Sequence, residues 1–307
     1  MDSVKERIDL YKHKYTKVNN FTHKYALVSL IGSLEFYLGT NDKDFQSLVK
    51  EDIDYQERKY YQHINLMKSF NRFMENNNDL LNEIITPYKN CLYKFTPYKE
   101  EYIEPNTCLK IIGDFLLHVD PYLYNMFCDL YSNNHILFKS DFNGGLEFNE
   151  RDRNSIHILV GTLCTVSDMA TLVHELGHAY KDYILPDYHR YFDLNNLLSS
   201  EISSKTLELM FLMYLIKFNI YKKDAIYDFN NFQSVINNAS NQILDSNNYN
   251  NSYIKELSYL LGGILANNFM INDNMNYYDF IRYIYFNNIK TILKDLNKNS
   301  LVKKFHF

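Results

Sequence analysis

The sequence contains no Trp, and its 307 residues include only 9 Gly, 5 Pro and 4 Cys. So few turn formers argue against a sandwich or barrel of many short strands and for long helices. The cysteines Cys91, Cys108, Cys128 and Cys164 lie far apart with no C-x-x-C pair, which excludes both a disulfide framework and a cysteine zinc site. No apolar run is long enough for a bilayer: "YLLGGILANNFMI" falls short of the roughly 20 residues that a spanning helix needs. The opening "MDSVKERIDLYKHKYTK" is charged and lacks the apolar centre of a secretory signal. These absences predict no membrane partner and a cytoplasmic location. Positive charge is not in excess either, with 32 Lys+Arg against 37 Asp+Glu and the two signs interspersed, so no nucleic-acid footprint is present.

Hydrophobic residues make up 46% of the chain and charged residues 22%, a globular balance with length for one large domain or two intimate ones. Residues 1 to about 90 carry apolar positions at three- and four-residue steps, in "ALVSLIGSLEFYL" and "HINLMKSFNRFMENNNDLLNEII", and read as core-forming helices. Pro97 and Pro105 mark a soft break. The expected organisation is therefore an N-terminal helical region, 1–100, packed on a second region, 101–307. One helix is expected over "CLKIIGDFLLHVDPYLYNMFCDLY", and the polar "SDFNGGLEFNERDRN", with Gly144 and Gly145, reads as a turn or hairpin. "SIHILVGTL" is the best strand candidate. Ser167 is expected to cap the following helix, and Ser199 or Ser200 the one after a loop of about a dozen residues. The predicted fold is mainly α, a multi-helix domain with a small β-sheet or hairpin beside the helix that carries the chemistry.

That helix is "TLVHELGHAYKDY". Its His174 and His178 are four residues apart, hence on one face about 6 Å along the axis, which lets both imidazoles meet one metal ion. A catalytic zinc takes three protein ligands and keeps one position open for water. Glu175, beside the first histidine, is where a general base would receive a proton and later hand it to a leaving amine. Glu201, 23 residues after His178, is the candidate third ligand, although a first-turn acid favoured by the helix dipole would also explain it. Glu208, two turns further, is either an acceptor that orients a ligand histidine or a half-exposed helix charge.

At these residues the chain resembles the thimet oligopeptidase and oligopeptidase F family of zinc metallopeptidases. "SIHILVGTLCTVSDMATLVHELGHAYKDY" is similar, without gaps, to that family's strand, turn and T-L-x-H-E-x-G-H helix. "SSEISSKTLELMF" resembles its A-E-T-x-S-x-x-x-E helix, with Glu201 on the ligand, Ser204 on the serine and Glu208 on the second acid. Thermolysin-like enzymes carry E-x-x-x-D instead, and the fourth residue after Glu201 is Lys205. "YLLGGILA" is similar to Y-A-x-G-x-x-x-A and aligns Tyr259, Gly262 and Ala266. The likeness spans roughly residues 105 to 290.

The resemblance implies a zinc metallopeptidase that hydrolyses peptides. One Zn²⁺ would be held by His174, His178 and Glu201, with Glu175 as general base and Ser204 and Glu208 supporting the ligands. Tyr259 and Tyr253 would serve as oxyanion donors, a role in which hydroxyl groups aimed at developing negative charge lower the barrier. Before Tyr259 the pattern departs from the family: the expected His position holds Tyr249, a tyrosine position holds Asn251, and an aromatic pair is Ile254 and Lys255. The resemblance also implies that "HILVGTL" pairs with an extended peptide, placing Gly161 and Tyr249 on the substrate side and His157 either at the cleft rim or in a structural role. Family members are about twice this long, from which a more open cleft is expected. A catalytically weak or inactive relative, binding zinc and a peptide or partner, is the alternative reading.

Overall fold

The apolar spacing of the first forty residues accounts for the helices they form. In α1 (Asp2–Lys17) the residues Val4, Ile8, Tyr11 and Tyr15 fall on one face and are buried. In α2 (Phe21–Leu38) Leu27, Leu30, Ile31 and Leu34 do the same. The side chain of Asn20 accepts from the His23 amide at the start of α2, and Gly39 ends it in the left-handed region at φ 69°. The structure, a computed structural model, describes residues 2–47, 49–50, 63–86, 98–150, 153–185, 194–245, 256–265 and 277–298.

Beyond α3 (His63–Ile85), the expected single helix is two, α4 (Pro105–Val119) and α5 (Pro121–Ser132). The physical reason is the Asp120-Pro121 pair. A proline favours an extended residue before it, and Asp120 is extended at φ −160°, ψ 115°, closing α4 and capping α5 through the Tyr122 amide. Asp120 also accepts from the buried Tyr180 hydroxyl at 2.7 Å, tying this corner to the central helix.

Three short strands follow: β1 (Ile136–Phe138), β2 (Gly145–Phe148) and β3 (His157–Val160), in the order β1-β3-β2. β3 is the strand that the sequence predicts, and it runs parallel to β1 and antiparallel to β2, with Leu159 opposite Leu137 and Leu146. β1, only three residues long, has no periodicity of its own to reveal it.

The helix α6 (Val166–Ile184) starts earlier than expected. Thr165, not Ser167, is its cap, with its hydroxyl oxygen accepting from the Asp168 amide; Asp168 in turn accepts from the Cys164 amide. α7 (Leu194–Phe218) also starts earlier, so neither Ser199 nor Ser200 is a cap. Leu194 and Leu198 are buried one turn apart and extend the apolar face of α7 back past the two serines. The described chain continues with α8 (Lys222–Asp245), α9 (256–265), α10 (Tyr277–Phe286) and α11 (Ile289–Lys298).

Burial divides into two clusters. The larger joins α3 to the helices from α4 onward and covers one face of the sheet through Ile136, Ile158 and Val160. The smaller places α1 and α2 on the other face, against Leu137, Phe148 and Leu159. The mainly α architecture with a small sheet beside the His174 helix is as expected, and the sheet is a layer between two groups of helices.

Candidate metal centre

α6 and α7 pack closely enough to share one cluster of side chains because Gly177 has none. A Cβ on Gly177 would lie 2.7 Å from the Ser204 Cα, so only glycine lets the two backbones approach at this point. This proximity places Glu201 over the pair of histidines. The Nε2 atoms of His174 and His178 are 3.2 Å apart, and His174 Nε2 is 3.7 Å from Glu201 Oε2. His178 Nε2 is 4.0 Å from Glu201 Oε1. Tetrahedral ligands about 2.0–2.1 Å from zinc are separated from one another by roughly 3.3 Å, so the three groups need little movement to share an ion.

The surrounding hydrogen bonds suit the same purpose. The Nδ1 of His174 faces Glu208 Oε2 at 2.9 Å, and the Nδ1 of His178 faces Ser200 Oγ at 3.0 Å. An Nδ1–H engaged in this way leaves the Nε2 lone pair facing the shared point. Glu201 Oε2 is buried and no described residue donates a hydrogen bond to it, which leaves an acceptor for a cation to satisfy. His174, His178 and Glu201 together could hold a metal ion. Glu201 itself is the eighth residue of α7, well past the first turn, so the helix dipole does not explain it.

Glu175 lies on the other side of this cluster, against β2. Its Oε2 accepts from the Glu147 amide at 2.9 Å. Gly145 makes that approach possible: a Cβ there would sit 2.5 Å from Glu175 Cγ. Burial raises the Glu175 carboxyl above the usual carboxylate range, and Glu201 and Glu208 add to the rise, while His174 and the Glu147 amide oppose it. Burial alone would also raise Glu208, but Lys205 and His174 outweigh it and hold the group down to about 2. The Glu147 side chain is pushed up to about 8 by burial and by Asp182, against the hydrogen bond from Asn149.

A cleft of about 540 Å³ opens over these groups, lined by Gly144 to Glu147, Thr171, His174, Glu175, His178, Glu201, Lys205, Glu208 and Tyr259. Tyr259, on α9, stands with its ring centroid 6.4 Å from that of His174, and burial and Glu201 raise its hydroxyl above the ordinary value. Ser204 is buried between the helices, with Oγ 3.4 Å from His174 Nε2 and donating to the Ser200 and Glu201 carbonyls. A second cavity of about 270 Å³, lined in part by Gly161, shares Gly144 and Thr171 with the first.

Tyr249 and Tyr253 lie outside the described residues. His157 is fully buried, stacked on His135 and Phe148 at centroid distances of 4.5 and 5.5 Å with Arg7 at its Nε2. These contacts give it a structural place among the sheet, α1 and the start of β1, and burial lowers its imidazole to about 3. Gly161 donates its amide to the Gly144 carbonyl. The strand addition expected of β3 is corrected by the sheet order, because β3 is paired on both sides and offers no free edge. The edge strand on the cleft is β2. Since the Glu147 amide points away from β3, the antiparallel alternation turns the Gly145 backbone groups outward as well.

Sequence reasoning missed Gly145, Lys205 and Ser200. Adjacent glycines before a strand signalled a turn but not the side chain that needs the space. Lys205, three residues before Glu208, was legible as a helical pair, whereas its place in the cleft was not.

No protein-family model matches the chain, and no curated protein matches it. Among solved structures, it is similar to one described as an oligoendopeptidase F from Bacillus anthracis, with 13% identity and a TM-score of 0.47. That likeness covers 90% of this chain, which spans 58% of the other.

Proposed function

We propose that the protein is a zinc-dependent peptidase, with His174, His178 and Glu201 as metal ligands and Glu175 as general base. The observation that carries this reading is the convergence of three ligand atoms within 4.8 Å of one another at the floor of a cleft walled by Glu175 and an edge strand. Zinc in such a site supplies a Lewis acid that polarises a carbonyl and activates water. The remaining work belongs to the protein. Glu175, beside Gly145 and held by the Glu147 amide, accepts a proton and returns it to the leaving amine. Its upward shift moves its pKa toward the working pH, where proton transfer is most efficient. The outward backbone of Gly145 offers hydrogen bonds to an extended peptide laid along β2. Tyr259 is the candidate oxyanion donor from the far wall.

The test combines zinc analysis of the purified chain with a mixed peptide library read by mass spectrometry. Cleavage that a chelator abolishes, and that Glu175→Gln loses with zinc retained, is the expected result. A chain that binds no zinc, or a Glu175→Gln protein with full activity, overturns the reading. Zinc binding without cleavage of any peptide supports instead a binding-only relative.

A further inference from the structure

Lys205 occupies a position in the cleft that the zinc-ligand reading leaves without a role. It follows Glu201 by four residues and precedes Glu208 by three on α7, so all three share a face. Its Nζ is 2.5 Å from Glu208 Oε2, the same oxygen that lies 2.9 Å from His174 Nδ1. One carboxylate oxygen is thus shared by an ammonium and an imidazole N–H. The ammonium is also caged: it lies 4.6 Å from the Tyr259 ring centroid and 5.4 Å from that of Phe232. Its stem packs where Gly262 leaves room, since a Cβ on Gly262 would come within 2.9 Å of the Lys205 Cβ. The Lys205 side chain is 14% exposed, and so is that of Glu208.

We propose that Lys205 is a positioning residue for the metal ligand His174, acting through Glu208. A glutamate has three rotatable bonds, and a single contact to a histidine would leave its carboxylate free to turn. The half-buried ammonium, fixed by two rings and a glycine, pins the shared oxygen on Nδ1. His174 then keeps its proton on Nδ1 and presents the Nε2 lone pair to the ion. The inference rests on the proposal that His174 binds zinc, but the imidazole tautomer that it concerns exists without metal.

The experiment uses the full chain carrying Lys205→Met or Lys205→Arg. Zinc affinity is read by competition with a chromogenic chelator. The ring nitrogen shifts of His174 are read by NMR on the metal-free protein, assigned by their loss in His174→Gln. Lys205→Met is expected to weaken zinc about tenfold and to replace the single Nδ1–H tautomer by a mixture, and Lys205→Arg to restore both. A folded Lys205→Met protein with native zinc affinity and an unchanged tautomer overturns the inference. If the unaltered chain binds no zinc, the zinc reading fails while the tautomer comparison still decides the role of Lys205. Should Lys205→Met not fold, Lys205→Gln, which keeps a donor without the charge, is read in the same way.

Discussion

Replacing Gly145 by Ala separates the position of the proposed base from everything else in the site. The added Cβ would lie 2.5 Å from Glu175 Cγ and 2.7 Å from its Oε1, whereas ordinary contact begins near 3.4 Å. Glu175 must therefore retreat by roughly 1 Å, and its bond to the Glu147 amide lengthens or breaks. A misplacement of that size costs on the order of 100-fold in rate, or about 2.7 kcal/mol of transition-state stabilisation. The rest of the protein has little reason to change: Gly145 is not in the left-handed region, and Ala in a strand restricts the unfolded chain more than Gly does. The assay compares kcat/KM on a cleaved peptide, zinc content and melting temperature for the two proteins. An activity loss near 100-fold with full zinc and a melting temperature within a few degrees is expected. Native activity in Gly145→Ala would show that Glu175 does not act from the position it holds against β2, and would refute the assignment.

Three further outcomes follow from the same geometry. Gly177→Ala would drive a Cβ to 2.7 Å from the Ser204 backbone; overpacking of about 1–3 kcal/mol, offset by up to about 1 kcal/mol of helix propensity, leaves a net loss in urea unfolding, accompanied by weaker zinc because α6 and α7 carry all three proposed ligands. Glu208→Gln removes the charge beside His174 Nδ1 and should weaken zinc by roughly 10–100-fold in a chelator titration, with no effect if Glu208 is only a surface acid. Glu147 titrates at about 8 when folded against an ordinary 4.5. The folded state therefore binds the extra proton between these values, and stability falls as pH rises through that window. Urea midpoints measured from pH 5 to 9 should decline more steeply for the unaltered protein than for Glu147→Gln, and parallel curves would contradict the shift.

The histidine pair, the acid between them and the strand before them were legible because each is a local property. Four-residue spacing fixes which side chains share a helical face whatever surrounds the helix, and the β-branched run of "HILV" needs no partner to be recognised. Helix ends were less legible. Thr165 rather than Ser167 caps α6, and α7 begins at Leu194, since burial of apolar residues can extend a helix through a serine that would otherwise stop it. What the tertiary structure alone decided is everything that depends on two distant segments meeting. The order β1-β3-β2 moved the free edge from β3 to β2. Contacts with Arg7 and His135 took His157 into the interior. The approach of two backbones at Gly177 and the space that Gly145 leaves for the Glu175 side chain set Glu201 and Glu175 in place. Sequence spacing determines neighbours along one element, while strand order and helix contact are settled by which whole faces are buried together, and a single sequence carries no local signal of that choice.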